Sequence, residues 1–485
     1  LNRRRFLKYA GAAAVVVGGS ALGVDYLLSR PITPTPTRTS TPTTVTTPTP
    51  PTIENLKWTP TKVVNGKVYE GTVSFEAQGS NSSVVQAELT FDPVYPQGIP
   101  TQAFTVEPSR SYSLSSNAMT AHFSQAIPNL VGGRKYRAQV ILKDQYGGQV
   151  QADLDVPYVR EFENITKGAG VNIGAYYSPW YSAASWDKDT FLALPQRPLL
   201  GAYDSQDQFI VSKHIDWSTG CGIGSWLTSW EGPSGVGTYK IDQLFSNPLS
   251  EDIKVGISYI TDILRYSNNR IDLDDKYNAD TLAEHMEYFA RNYFPSGNYW
   301  MIDGKAVVHY YYSRSFVGDL EHVFGRLRDV AQTNGFKLFI VGDVIGVSDY
   351  WDSPQEIPYS TLRLYDAVDS YGMLPSKVVG VTNDNYEQRL ESHFAAWSRA
   401  TKSIGLKLIP FAIPGYAKLG DEGHFLAREP ARFSERLKIA IKYMDPEIRT
   451  VIVTTFNEWF EHTYVDPSVD DGFQYLQSIK EFAAG

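Results

Sequence analysis

The chain contains a single cysteine, Cys221, in 485 residues. One thiol excludes an intramolecular disulfide and any structural zinc site built on paired cysteines. Histidine is also scarce, with eight residues and no H-E-x-x-H or comparable spacing. No metal and no cofactor is therefore expected. Basic charge is short as well: the formal net charge is −9, which leaves no basic face of the kind nucleic-acid binding needs. Aromatic residues are plentiful, at 13% with 31 Tyr and 10 Trp. Flat rings stack on the C–H faces of sugars but also fill cores, so this alone favours glycan handling only slightly.

Arg3-Arg4-Arg5-Phe6-Leu7-Lys8 precedes an apolar run from about Tyr9 to Val24. A basic segment before such a run reads as an export address. The order Asn-Arg-Arg-x-Phe-Leu-Lys resembles a twin-arginine signal; a plain secretory signal and a basic cap on a membrane anchor are the other readings. No clean Ala-x-Ala site follows, and Tyr26-Leu27-Leu28 prolongs the apolar run. Residues 1–30 are thus expected to be a signal or a retained anchor. Residues 31–52 are almost all Pro and Thr, which cannot bury apolar surface and should form an extended stalk. The expected location is extracellular or on the cell surface.

Two folded units should follow. Over residues 53–159, short alternating runs separated by Gly, Pro and Ser (Tyr69–Ala77, Val84–Phe91, Gln102–Val106, Ala118–Phe123, Lys135–Lys143, Gln149–Val156) indicate an all-β sandwich. Gly132-Gly133-Arg134-Lys135-Tyr136 and the turn Asp144-Gln145-Tyr146-Gly147 are loosely fibronectin type III-like or Ig-like. Over 168–485, β-rich runs alternate with helical patterns. Strands are expected at Val171–Tyr177, Gly222–Trp230, Lys254–Ile260, Ala306–Tyr312, Lys337–Asp343, Ala367–Tyr371, Leu406–Ile413 and Thr450–Phe456. Eight strand–helix units of this size suit an α/β (β/α)8 barrel of the TIM type; an open doubly wound sheet is the alternative.

In such a barrel the chemistry lies at the carboxyl ends of the strands. Those ends carry aromatics and carboxylates: Tyr177 and Trp180, Trp230, Asp343, Asp369 and Tyr371, Tyr416, and Asn457-Glu458-Trp459-Phe460-Glu461-His462. Glu458 and Glu461 follow the last strand at i and i+3, so one turn can aim both into a cavity. Paired carboxyl groups divide acid and base roles, as glycosidic cleavage requires. The bland reading has them capping a loop or pairing with Lys or Arg. Trp459 either packs or stacks on sugar; Asn457 is a substrate donor or a turn residue. Asp272-Leu273-Asp274-Asp275 reads as a solvated loop, His214 falls on the first crossover helix, and nothing selects His424.

Several blocks resemble glycoside hydrolase family 99, the endo-α-mannosidases: Tyr176-Tyr177-Ser178-Pro179-Trp180-Tyr181, Tyr203-Asp204-Ser205-Gln206-Asp207 with His214, Ile223-Gly224 with Ser229-Trp230, Pro414-Gly415-Tyr416, and Thr455 through Thr463. The resemblance implies a retaining, endo-acting hydrolase of α-mannosides working without a cofactor. Glu458 would deprotonate the substrate's own 2-hydroxyl, and Glu461 would protonate the leaving oxygen. Tyr177, Trp180, Trp230, Tyr371, Tyr416, Asn457 and Trp459 are the expected substrate contacts. Ser178 interrupts the first block, Phe460 and His462 stand where the family has His and Gly, and Asp262 falls near the place of a strand-3 glutamate. The expected partner is an oligosaccharide or polysaccharide. A glycan-binding surface protein and a structural envelope component are the competing classes.

Overall fold

The computed structural model describes residues 49–483 apart from 80–82, 104–105, 183–184, 187–193, 195, 234–239, 346–353, 373–374, 376–377 and 419–424. Residues 1–30, expected to be a signal or anchor, most of the Pro/Thr stretch and His424 lie outside the described residues. Among the described residues, no helix is long and apolar enough to cross a membrane.

Seven strands precede residue 160: β1 (Thr52–Val64), β2 (Lys67–Gln78), β3 (Val84–Val94), β4 (Arg110–Ser115), β5 (Thr120–Ile127), β6 (Arg134–Asp144) and β7 (Gln149–Val159). They form two antiparallel sheets, ordered β1-β2-β5 and β4-β3-β6-β7. Successive side chains of a strand point to opposite faces. Alternate residues such as Val73 and Phe75, Leu89 and Phe91, and Tyr136, Ala138 and Val140 therefore build one core shared by both sheets. The strand expected at Gln102–Val106 is absent at its described positions: Thr101–Ala103 is a 3-10 turn closed by Ala103 N–H on the Pro100 carbonyl. β1 went unread because its residues are largely exposed and carry no apolar alternation.

The remaining chain builds a curled parallel sheet from β8 (Asn172–Tyr177), β9 (Ile223–Trp230), β10 (Lys254–Ile260), β11 (Lys305–Tyr311), β12 (Lys337–Asp343), β13 (Ala367–Asp369), β14 (Lys407–Leu408), β15 (Phe411–Ala412) and β16 (Thr450–Val453). The hydrogen-bonded order is β14-β13-β12-β11-β10-β9-β8-β16-β15. Its two ends are halves of one segment, split only by Ile409 and Pro410, so the curl returns on itself in TIM-type fashion. No reversal of strand order occurs, which is what an open doubly wound sheet would require.

Helices α1 (Gln208–Gly220), α2 (Asp242–Ser246), α3 (Lys276–Asn292), α4 (Leu320–Thr333), α5 (Tyr386–Ile404), α6 (Pro430–Tyr443) and α7 (Gln474–Ala483) connect or follow the strands. Their starts are chemically marked: the carboxylates of Asp207, Asp275 and Asp319 accept backbone N–H groups of α1, α3 and α4, satisfying donors that a helix leaves open. One apolar cluster lies between sheet and helices. A second, including Tyr176, Leu227, Val307, Phe339, Ala367 and Ile452, fills the curl itself. Space there is tight: a Cβ on Gly174 would meet the Ile452 side chain at 2.7 Å.

Candidate active site at the barrel mouth

Strand parity decides which side chains reach the mouth. On β8, Tyr176 belongs to the inner cluster, so Tyr177 faces the helices. There it stacks on Trp226 at 4.3 Å and its hydroxyl meets His214 Nδ1 at 3.0 Å. On β9, Leu227 faces in, so Trp230 faces out, edge-on to Phe289 and His285. Neither Tyr177 nor Trp230 lines the mouth. Tyr176 takes that place.

The loop after β16 carries both glutamates. Glu458 is 4% exposed. Its Oε2 accepts from Ser178 Oγ at 3.2 Å, and its Oε1 accepts from the Tyr181 hydroxyl at 3.3 Å and Phe460 N–H at 3.2 Å. Ser178, the extra residue in the first block, thus becomes a partner of Glu458. Glu461 is more open, with its side chain 19% exposed. It accepts from the Tyr371 hydroxyl at 2.9 Å and pairs with Lys418 at 3.0 Å. Half-buried Trp180, Tyr371 and Phe460 stand around this loop.

Three other expected contacts are committed elsewhere. Asn457 is fully buried: its Oδ1 accepts Ser178 N–H at 2.7 Å and its Nδ2 donates to the Ser178 carbonyl at 2.9 Å. It therefore clamps the loops after β8 and β16 together instead of facing a ligand. Trp459, 1% exposed, stacks on Tyr464 at 3.6 Å and donates Nε1–H to Asp466 at 3.2 Å. Tyr416 is buried in a short hairpin whose Ala417 N–H bonds the Glu461 carbonyl at 3.0 Å. His462 has φ 57, a left-handed backbone that glycine adopts freely, which accounts for the family's Gly at this position. Burial lowers its imidazole to about 3.

Beneath the mouth lies a polar floor, of which the strand-end reading names Asp343 and Asp369 but neither His309 nor Ser258. Tyr176 OH donates to Asp369 Oδ2 at 2.5 Å. His309 bridges Asp369 Oδ1 at 3.2 Å and Ser258 Oγ at 2.8 Å. Asp343, the register partner of Asp369 on β12, accepts Tyr312 N–H at 3.0 Å and faces Arg314. Burial holds the Asp343 carboxyl above the usual range, and Arg314 opposes that shift. The signal for His309 was available: a polar residue at an inward position of the apolar run Ala306–Tyr312. Among the described residues, no group of three or more His, Cys, Asp or Glu could hold a metal ion.

Residues 261–479 match the family model described as Glycosyltransferase WbsX. The match includes the Pro414–Tyr416 and Thr455–Thr463 blocks; the blocks at 176–181 and 203–207 precede it. No curated protein matches the chain. Among solved structures, an endo-alpha-mannosidase of glycoside hydrolase family 99 from Bacteroides thetaiotaomicron is 20% identical, covering 64% of this chain and 96% of that one at a TM-score of 0.49. A beta-glucuronidase from Bifidobacterium dentium is 10% identical, covering 90% and 66% at 0.39. A Bacteroides uniformis beta-glucuronidase is 12% identical, covering 84% and 45% at 0.33. In its sequence motifs the barrel is similar to family 99 and divergent from it.

Proposed function

We propose that the barrel is a cofactor-independent glycoside hydrolase that cuts within α-linked glycans, α-mannosides foremost, with retention of configuration. One observation carries this reading. The two glutamates of the final loop are held by hydroxyl and ammonium donors from the loops after β8, β13 and β15, beside half-buried rings.

Under this reading the substrate's 2-hydroxyl oxygen attacks the anomeric carbon while its proton passes to Glu458. The glycosidic C–O bond breaks, its electron pair stays on the leaving oxygen, and Glu461 supplies the proton. The resulting 1,2-anhydro sugar is opened by water, which gives one proton back to Glu461 while Glu458 returns its proton to the 2-oxygen. Trp180 and Tyr371 offer ring faces to the sugar. Residues 1–30 export or anchor the protein, the Pro/Thr stretch acts as a stalk, and the fibronectin-like sheets serve as an accessory module.

A second reading, sugar transfer from an activated donor, is favoured by the description of the family model that matches residues 261–479. The deciding experiment incubates the purified protein with a panel of α-linked oligosaccharides and follows mass by spectrometry. Shorter products support hydrolysis. Products lengthened only when an activated sugar is supplied would replace that reading with transfer.

A further inference from the structure

Asp466 is a buried carboxylate that the proposed chemistry does not use, yet both neighbours of Glu458 lead to it. Trp459 Nε1–H donates to Asp466 Oδ2 at 3.2 Å. The Tyr203 hydroxyl donates to the same oxygen at 3.1 Å. Tyr203 in turn accepts Asn457 Nδ2–H at 3.3 Å and Trp459 Nε1–H at 3.2 Å, and Asn457 clamps both backbone groups of Ser178. Ser178 Oγ then donates to Glu458. The backbone adds a further tie, since Asp466 N–H bonds the Phe456 carbonyl at 2.7 Å. We infer that Asp466 is a positioning residue: it holds Trp459 directly and Asn457 through Tyr203, and so sets the direction of the Glu458 carboxylate.

The surroundings give this role a pH signature. The groups facing Asp466 are Tyr203 from the loop before α1, Tyr177 from β8, His214 from α1, and Tyr464 from its own loop. His214 Nε2 lies 3.7 Å away and is pushed down to about 3 by burial, so it supplies no counter-charge. Arg428 lies beyond Tyr464, whose carbonyl it holds. Among the described residues Asp466 Oδ1 has no hydrogen-bond partner. Burial raises the carboxyl to about 8, against the opposing donors Trp459 and Tyr203. Ionisation strengthens both bonds accepted by Oδ2, so the clamp on Glu458 tightens as pH rises through that value.

This rests on the role proposed for Glu458, and the test separates the two. In the full chain, Asp466→Ala, Asp466→Asn and Tyr203→Phe are compared with wild type. Misplacing a catalytic group by about 1 Å costs roughly 10²-fold, so Asp466→Ala should lose about that much kcat with KM nearly unchanged. Asp466→Asn, which keeps an acceptor, should recover most of the loss but lack the inflection near pH 8. Tyr203→Phe should fall between. Wild-type kcat in folded Asp466→Ala, or an inflection that persists in Asp466→Asn, would overturn the inference. Infrared difference spectra against Glu458→Gln isolate the Glu458 carboxylate band without any turnover. A band shifted in Asp466→Ala and retained in Asp466→Asn supports the positioning role even if no glycan is cut. An unchanged band in Asp466→Ala overturns it.

Discussion

Carboxylates gather in two regions of this molecule, the barrel mouth and the seam where β7 meets α1. At the seam Asp216 is fully buried and its oxygens accept from the Tyr158 hydroxyl at 2.9 Å and from the backbone N–H groups of Glu161 and Phe162. Arg160 faces it at 3.6 Å and reaches Asp252 at 2.6 Å. Glu161 meets Lys213 and the Trp217 indole, each at 3.1 Å. At the mouth the described donors to the two glutamates are phenols, a serine, a backbone amide and a lysine. The seam spends its charge on fixing one unit against the other, because unpaired buried charge is costly. At the mouth Glu461 stays partly open to solvent, and the described donors to Glu458 are two hydroxyls and a backbone amide.

The comparison yields measurable contrasts. Glu458→Gln should lower kcat by about 10³-fold or more, since a positioned acid or base contributes roughly 10²–10⁴-fold, while thermal unfolding stays near wild type. Near-normal turnover would remove Glu458 from its role; Glu461→Gln tests its partner in the same way. At the seam the pattern reverses. Asp216→Ala leaves Arg160 buried without its neighbour and should cost about 3–5 kcal/mol by denaturant unfolding, with kcat of the remaining folded protein unchanged. Equal loss of turnover there would show the seam to be part of the site.

Smaller effects sharpen the picture. Tyr371→Phe deletes one donor to Glu461 and should reduce kcat about 10-fold, in line with roughly 1.5 kcal/mol for a bond to a charged group. Trp180→Ala should raise KM by up to about 10-fold if its ring stacks on sugar, a contact of roughly 0.5–1.5 kcal/mol, and leave kcat alone. Stability should also follow pH through Asp466. Its folded value, about 8, lies above the roughly 3.9 of an unfolded Asp. Its stabilising contribution is therefore complete below pH about 4 and is lost as pH rises through about 8. Asp466→Asn removes that decline, so the Tm difference in favour of the variant should widen between about pH 5 and pH 8.5. A constant difference would place the ionisation elsewhere.

Much of this architecture was legible in the chain. The runs Lys254–Ile260 and Lys337–Asp343 coincide with strands. Glu458 and Glu461 do follow the final strand. The assignment of Tyr177 and Trp230 to the rim failed for a definite reason. A strand of period two presents both faces equally well, and an aromatic-rich run such as Tyr176-Tyr177 does not say which face is inside.

By itself, then, the sequence determined the alternation of strands and helices after residue 168, the lack of paired cysteines, and the identity of the two acids after the last strand. These depend on local spacing and composition, which the chain carries directly. Tertiary structure alone decided that Ser178 touches Glu458 across 280 positions, that Asn457 and Trp459 serve as clamps, and that Asp466 meets Tyr203 from 263 positions away. Burial and hydrogen-bond partnership belong to pairs of residues brought together by closing the curled sheet. Only that closure determines which polar groups lose water and which of their neighbours replace it.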